Sequence, residues 1–359
     1  SFFTQTRGLT RAALLILAII VAIPVAPLPP ETAALLARLM AVAVIGGWIH
    51  ALQGQAADAE RWLDIAMRGA DNGALPDGST SARPWIALLR AAMCEDGVEQ
   101  MLNDAEGALA ELPTGSRWRP TALLLQGVAY VLLGDDERGD TILAQAAEAA
   151  ESFGATDTLA VAISERSLIA AARDDPTAAE KLSVQARELV DEGQLDGYVT
   201  SSLELAATAR ALLRHGRWDQ ARLCLTAARR LTPFLNHALP WFAVQTRLEL
   251  ARTYVALRDQ QGARTLLSEV RQILRQRPLL GILTRQTEAI IALSADSRED
   301  VDAFAEKALS SGGSPANEPM DMDFMYGRSF HDPDGHQWEI FWMNPAALEQ
   351  QPTGTSAAA

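Results

Sequence analysis

The chain has 359 residues, 48% of them apolar, and a formal net charge of −14. Residues 296–359 hold twelve acids against three bases, a net of −9, while the other 295 residues carry only −5. Neither part offers the basic face that phosphate neutralisation requires, so direct nucleic-acid binding is not expected.

The first 39 residues are apolar and Pro-rich. Arg7 and Arg11 precede twelve apolar residues, 12–23, and then Pro24, Pro27, Pro29 and Pro30. That run has the length of a signal peptide's apolar region and falls short of the roughly 20 residues of a spanning helix. Extended to residue 28 it becomes a short, proline-interrupted membrane segment. Two readings stand: membrane contact or export through residues 12–28, or an extra hydrophobic element packed on the first helices beyond residue 40. The chain opens on Ser1 instead of Met, as a fragment of a longer protein would.

From residue 40 one spacing recurs. In GRWDQARLCLTAARRL, counting Gly216 as zero, small residues fall at plus five (Ala221) and plus twelve (Ala228) and a leucine at plus nine (Leu225). Small residues there let two helices approach, and the leucine fills the gap between them. The template also fits Gly54 (Ala59, Leu63, Ala66) and Gly134 (Gly139, Leu143, Ala146). It fits Asp96 (Met101, Ala105, Ala108), Asp174 (Ala179, Ser183, Ala186) and Arg258 (Ala263, Leu267, Val270) more loosely.

The six starts lie 42, 38, 40, 42 and 42 residues apart, longer than the roughly 34 of the plain tetratricopeptide repeat (TPR). Residues 40–52 and 84–92, 121–133, 158–172, 199–214 and 240–257 read as the first helix of each pair. Turn signals separate the units, among them Pro76-Asp77-Gly78, Pro113-Thr114-Gly115, Asp174-Asp175-Pro176, His215-Gly216, Thr232-Pro233 and Arg277-Pro278. Asp175 before Pro176 is a helix cap. A unit of this kind cannot bury its apolar stripe alone, so neighbours must stack. The expectation is one elongated, mainly α domain over residues 40–289, a TPR-like α-solenoid of about six helix-turn-helix repeats whose curved groove binds something.

Individual side chains read as packing. His50 is a packed or capping histidine, and Cys94 and Cys224 are buried free thiols. Trp62, Trp85, Trp118, Trp218 and Trp241 recur at unit edges as inter-repeat packing, any one of which could stack on a ligand. Arg222, Arg229 and Arg230, beside acids such as Glu204 and Glu249, read as solvated faces.

ALQGQAADAERWLD, RPTALLLQGVAYVLLGDDERGDTILAQAAEAA and HALPWFAVQTRLELARTYVALRD resemble the helical-repeat region of the large ATP-binding LuxR-type transcriptional regulators, the MalT-like group, over about residues 40–290. The resemblance implies a sensor and partner-binding arm of a bacterial, cytoplasmic regulator. In that family an ATPase precedes the arm and a DNA-binding helix-turn-helix follows it. A phosphate-cradling G-x-x-x-x-G-K-[ST] loop needs lysine after glycine, and the two lysines, Lys181 and Lys307, follow Glu180 and Glu306.

After residue 290 the period changes to a strand (290–295), a helix (298–310), a Gly312-Gly313 stop, and two strands about Asp332-Pro333-Asp334-Gly335. Alternation sets Trp338, Ile340 and Trp342 against Gln337, Glu339 and Phe341. SADSREDVDAFAEKALSSGG with FMYGRSFHDPDGHQWEIFWMNP resembles the second βαβββ module of the vicinal-oxygen-chelate superfamily, the glyoxalase and bleomycin-resistance proteins, over about residues 290–345. In that superfamily two modules form one cup and the last strand supplies a carboxylate metal ligand, a role that would fall on Glu339.

One carboxylate does not make a zinc site, which takes about three protein ligands. A divalent metal is therefore expected only if a second half-module pairs by homodimerisation; otherwise no cofactor and no catalytic residue are assigned. His331 and His336 flank the turn and read as neighbours across a hairpin. Residues 346–359 read as a disordered tail. The leading expectation is a non-enzymatic binding scaffold taking a protein, peptide or small effector in its groove, and the alternative is a glyoxalase-like metal protein completed by dimerisation.

Overall fold

The computed structural model describes residues 30–69, 74–277, 280, 283, 297–322, 325–331, 333 and 337–343. The apolar run 12–28, the strand expected at 290–295 and the tail 346–359 lie outside them. Six helix pairs come first: α1 (Pro30–Leu52) with α2 (Ala56–Arg68), α3 (Arg83–Met93) with α4 (Val98–Glu111), and α5 (Arg119–Leu132) with α6 (Asp136–Phe153). Then come α7 (Thr156–Ala172) with α8 (Pro176–Glu192), α9 (Ser201–Arg214) with α10 (Trp218–Leu231), and α11 (Pro240–Ala256) with α12 (Gln260–Gln276). No helix among the described residues is long and apolar enough to cross a membrane.

All eighteen template positions are buried. The reason for small residues there is visible between α5 and α6. A Cβ added at Gly127 would lie 2.7 Å from the Leu143 side chain, and one at Gly139 would lie 3.1 Å from the Gly127 carbonyl. The zero positions share a second property. Gly54, Gly134 and Gly216 have φ of 71, 88 and 68°, and Asp174 and Arg258 take the same left-handed turn at 57 and 60°.

After each of these five residues the next N–H donates back to the carbonyl five residues earlier: Gln55 to His50, Asp135 to Tyr130, Asp175 to Ala170, Arg217 to Leu212 and Asp259 to Tyr254. This 6→1 bond closes the first helix. Three turns also start the second helix by a side-chain cap, Asp135, Asp175 and Asp259 accepting from the N–H groups of Arg138, Ala178 and Gly262. The unit at Asp96 departs, with left-handed residues at Cys94 and Gly97 instead.

Consecutive first helices pack on one another, from α1 on α3 through to α9 on α11. The stack is curled more tightly than an elongated solenoid, because the first unit meets the last. Asn236 Nδ2 donates to the Gly54 carbonyl at 2.6 Å, and a Cβ at Gly54 would lie 2.7 Å from the Phe234 carbonyl oxygen. Arg277 donates to Glu60 at 2.7 Å and to Glu95 at 3.3 Å, tying the end of α12 to the first two units. One hydrophobic core runs from Met40 to Leu283.

This curvature reverses the expectation of solvated faces at two acids. Glu204 on α9 and Glu249 on α11 are buried, since late first helices are covered on every side, whereas Arg222 and Arg230 are exposed as expected.

The C-terminal described part is a helix on a sheet: α13 (Arg298–Ser310), β1 (Ser314–Pro315), β2 (Met320–Met322), β3 (Met325–His331) and β4 (Gln337–Met343). β3 is central, with β4 antiparallel along its whole length and β1 and β2 sharing its other edge. Between β1 and β2 the register slips by two residues, where Ser329 Oγ accepts from the Asn317 N–H at 2.9 Å. Phe330 and Ile340 pack with Val301 and Ala305 of α13 as a separate small core, with Trp342 against it. Of the two faces of the last strand, the one that carries Ile340 and Trp342 packs on the helix, although Trp338 at the hairpin end is 41% exposed.

Candidate ligand pocket

A cavity of about 230 Å³ opens where the curled stack closes, and every unit lines it. The first unit gives Trp48 and Leu52, and the second gives Ala92. The third contributes Trp118, Thr121, Leu124 and Leu125, and the fourth Asp157, Thr158 and Val161. The fifth adds Val199 and Thr200, and the sixth Leu239, Trp241 and Phe242. Most of these residues sit at the N-terminal ends of first helices. Trp48 and Leu52 come from the opposite end of α1, carried there by the contact of Gly54 with the 232–239 loop.

That loop is itself anchored. Arg247, buried on α11, donates to the Thr232 carbonyl at 2.8 Å, to the Ala243 carbonyl at 3.0 Å and to Glu269 at 2.8 Å. Two indoles of the wall are neighbours, Trp48 and Trp118 with ring centroids 6.0 Å apart, and Trp85 packs against Trp118 at 5.2 Å. Trp241 meets Phe242 edge to face at 5.2 Å. The tryptophans thus divide. Trp118 and Trp241 line the cavity, Trp62 and Trp85 are buried packing, and Trp218 is half exposed. Trp48, which the spacing marks only as part of a repeat helix, belongs with the first group. A signal existed: it stands six residues before its zero position, where the later units carry Arg90, Val128, Leu168, Arg210 and Arg252.

Trp85 has its polar edge satisfied. Its indole N–H donates to Asp77 at 3.0 Å, and the same carboxylate accepts from Ser116 and from the Ser79 N–H and hydroxyl. Burial acts to raise the Asp77 pKa, but these hydrogen bonds outweigh it and hold the acid below its ordinary value. By contrast, Trp48 Nε1 and Trp241 Nε1 are buried with no partner among the described residues.

One helical turn past Val161 and Trp241 the interior becomes polar. Gln245 Nε2 donates to Glu165 Oε2 at 2.6 Å. Burial pushes Glu165 up to about 8, and the Glu249 charge adds to this. Glu204 is raised to about 7, again chiefly by burial. Glu249 is instead held low: burial opposes its charge, yet Arg252 and Arg210, the latter at 2.8 Å, prevail. Three buried glutamates on α7, α9 and α11 therefore differ by their cationic neighbours.

His50 is hydrogen-bonded to Gln55 Oε1 and stacks on Trp62 with centroids 6.4 Å apart, a turn-capping role. Cys94 is buried, which pushes its thiol up to about 12, and Cys224 is partly buried; both are free. Among the described residues no group of three or more His, Cys, Asp or Glu is placed to hold a metal ion. Glu339 stands on β4 opposite Ser329, and His331 ends β3 opposite Gln337, while His336 lies outside the described residues. Tyr326 and Arg328 of β3 bind Asp302 of α13 at 2.8 and 3.0 Å, fixing helix to sheet.

The sequence signature of the Glyoxalase/Bleomycin resistance protein/Dioxygenase superfamily matches residues 241–340. Its first part coincides with α11 and α12, which share the core of the repeats, and its last part with α13 and the sheet. No curated protein sequence matches the chain. Among solved structures, the chain is similar to a Podosopora anserina protein described as a kinesin light chain with nearly identical TPR-like repeats. The TM-score is 0.35 at 20% identity, over 52% of this chain and 91% of that one. It is also similar to a Signal Transduction ATPase with Numerous Domains (STAND) protein with a tetratricopeptide repeat sensor from Pyrococcus horikoshii. There the TM-score is 0.42 at 14% identity, over 77% of this chain and 41% of that one. The chain is a TPR-like α-solenoid followed by a small α+β unit, with glyoxalase-type sequence across their junction.

Proposed function

We propose that residues 40–289 are a non-enzymatic binding arm of the LuxR-type, MalT-like kind, serving transcription regulation in a bacterial cytoplasm by taking a small effector in the pocket. The observation that carries this reading is the convergence of all six units on one apolar cavity. A ligand seated there touches both ends of the stack at once, so binding reports on the closure of the whole arm. A protein or peptide in the groove is the other proposed occupant, and residues 12–28 remain a proposed membrane contact.

The test is titration with N-phenyl-1-naphthylamine, a neutral apolar dye whose fluorescence rises on leaving water. One dye per folded chain is expected, with binding reduced at least tenfold by Thr121→Trp, which fills the pocket from a half-exposed position. Undiminished binding in that variant, with circular dichroism unchanged, contradicts the pocket reading.

The superfamily match supports a second reading for residues 290–345: a half-cup that a second copy completes, with Glu339 as one metal ligand. Size measurement with elemental analysis tests it. A dimer carrying a stoichiometric divalent ion that Glu339→Gln loses is the expected result, and a metal-free monomer removes this reading.

A further inference from the structure

Within the reading of the cavity as an effector site, we propose that its ligand is a cationic amphiphile, an ammonium-type head on an apolar body, with the head held at the mouth by Asp157 and the body in the apolar interior. The lining sorts by exposure. Leu125, Val161, Trp241 and Phe242 are buried, whereas Thr121 and Thr200 are half exposed and Asp157 is exposed, so the floor is apolar and the mouth polar. The indole nitrogens of Trp48 and Trp241 are closed off, and what these residues show the cavity is therefore carbon. A polar group carried to the floor would lose its water without a partner, so the head of a ligand belongs at the mouth.

The mouth offers an acceptor. Among the described residues Asp157 is the one charged member of the lining, with no Lys, Arg or His beside it. Other acids of the repeats are already engaged: Asp135, Asp175 and Asp259 accept from helix N–H groups, and Asp140 pairs with Arg166 at 2.7 Å. Asp157 has no ion pair or hydrogen bond among the described residues, and Thr200 starts α9 without a side-chain cap. Helix starts alone favour anions, but the first turn of α7 already carries the Asp157 carboxylate, and α11 opens on Pro240, which has no N–H. An anionic ligand would meet Asp157 with no counter-charge. An ammonium brings donors to an acceptor-only carboxylate, and the net charge of −14 draws cations to the chain.

The experiment compares four naphthalenes of similar size by calorimetry on the full chain: 2-naphthylmethylammonium, 2-naphthylmethanol, 2-ethylnaphthalene and 2-naphthoate. The ammonium is expected to bind about fivefold tighter than the alcohol and the hydrocarbon, a margin suited to one exposed charge, and the carboxylate should be the weakest. Asp157→Asn keeps the shape and removes the charge; the ammonium should then bind no tighter than the alcohol, with the hydrocarbon unchanged. Asp219→Asn removes another exposed acid, from the first turn of α10 and outside the lining. It should leave the ammonium's margin in place, which separates a local contact from the charge of the whole chain.

Equal binding of ammonium and hydrocarbon, both lost in Thr121→Trp, overturns the cation assignment and leaves the pocket reading standing. Tightest binding of the carboxylate overturns it in the same way. A margin that survives Asp157→Asn, or that falls as far in Asp219→Asn, overturns the role of Asp157. Failure of all four to bind overturns both the ligand class and the pocket.

Discussion

The repeats and the C-terminal unit bury their apolar residues in opposite ways. In the repeats, each pair closes on its neighbours and the core is continuous from Met40 to Leu283. Among the described residues of the C-terminal unit, Val301, Ala305, Phe330 and Ile340 form a separate small cluster with half-buried aromatics around it. The comparison teaches where a pocket can be placed: a stack whose stability is spread over many contacts can close around a cavity lined by every unit, whereas the helix and sheet of the C-terminal unit pack their described apolar residues directly on one another.

The largest effects should separate the two regions. Leu143→Ala removes a fully buried side chain from the middle of the stack and should cost about 2–5 kcal/mol, lowering the main helical melting transition followed by circular dichroism. Ile340→Ala should abolish the order of the C-terminal unit, seen as loss of hydrogen-exchange protection in residues 298–343, with the main transition in place. A common transition in both variants would show that the two cores unfold as one.

Acidity sharpens the contrast next, because the repeats hold buried carboxyls above their ordinary pKa. Glu165 is raised from 4.5 to about 8 and Glu204 to about 7. Between those values and 4.5 the folded chain binds more protons than the unfolded one, so stability is greatest below pH 4.5 as far as these groups are concerned. It falls as pH rises through 8. Glu165→Gln keeps the shape and cannot ionise; it should flatten melting temperature against pH between 5 and 8 and raise it at pH 8. A profile identical to the unmodified chain would show that Glu165 is charged in the fold.

Smaller effects probe closure and turn. Arg277→Ala breaks the tie to Glu60 and Glu95. With both acids partly exposed it should cost about 1–2 kcal/mol and weaken dye binding as well, whereas a stability loss with unchanged dye affinity would detach closure from the pocket. Arg258→Gly should stabilise by about 0.5 kcal/mol, because a left-handed residue at φ 60° suits glycine, and a fall in melting temperature would contradict the equivalence of that turn with Gly54, Gly134 and Gly216.

The repeat was legible because packing of adjacent helices writes a local period into the chain. Even the loosely fitting units at Asp174 and Arg258 take the same turn as the glycine units, with the same 6→1 bond. The hairpin was legible from Asp332-Pro333-Asp334-Gly335 for a similar reason, since turn chemistry is local. Curvature was not, because it is fixed by contacts such as Asn236 with Gly54 and Arg277 with Glu60, which no local spacing encodes. Trp48 therefore looked like any repeat residue, and Glu204 and Glu249 looked solvated. The slip in register beside β3 was hidden too, since it turns on the Ser329 hydroxyl.

A double-mutant cycle on Trp48 and Trp241, read by N-phenyl-1-naphthylamine affinity, addresses the convergence of distant units most directly. The two residues lie at opposite ends of the repeat array in sequence and line one cavity in space. Trp48→Ala and Trp241→Ala should each weaken binding, and the pair should weaken it by less than the product of the single effects, because the two side chains share one ligand. Strictly multiplicative losses, or no loss from Trp48→Ala, would contradict a site assembled from the first and last units.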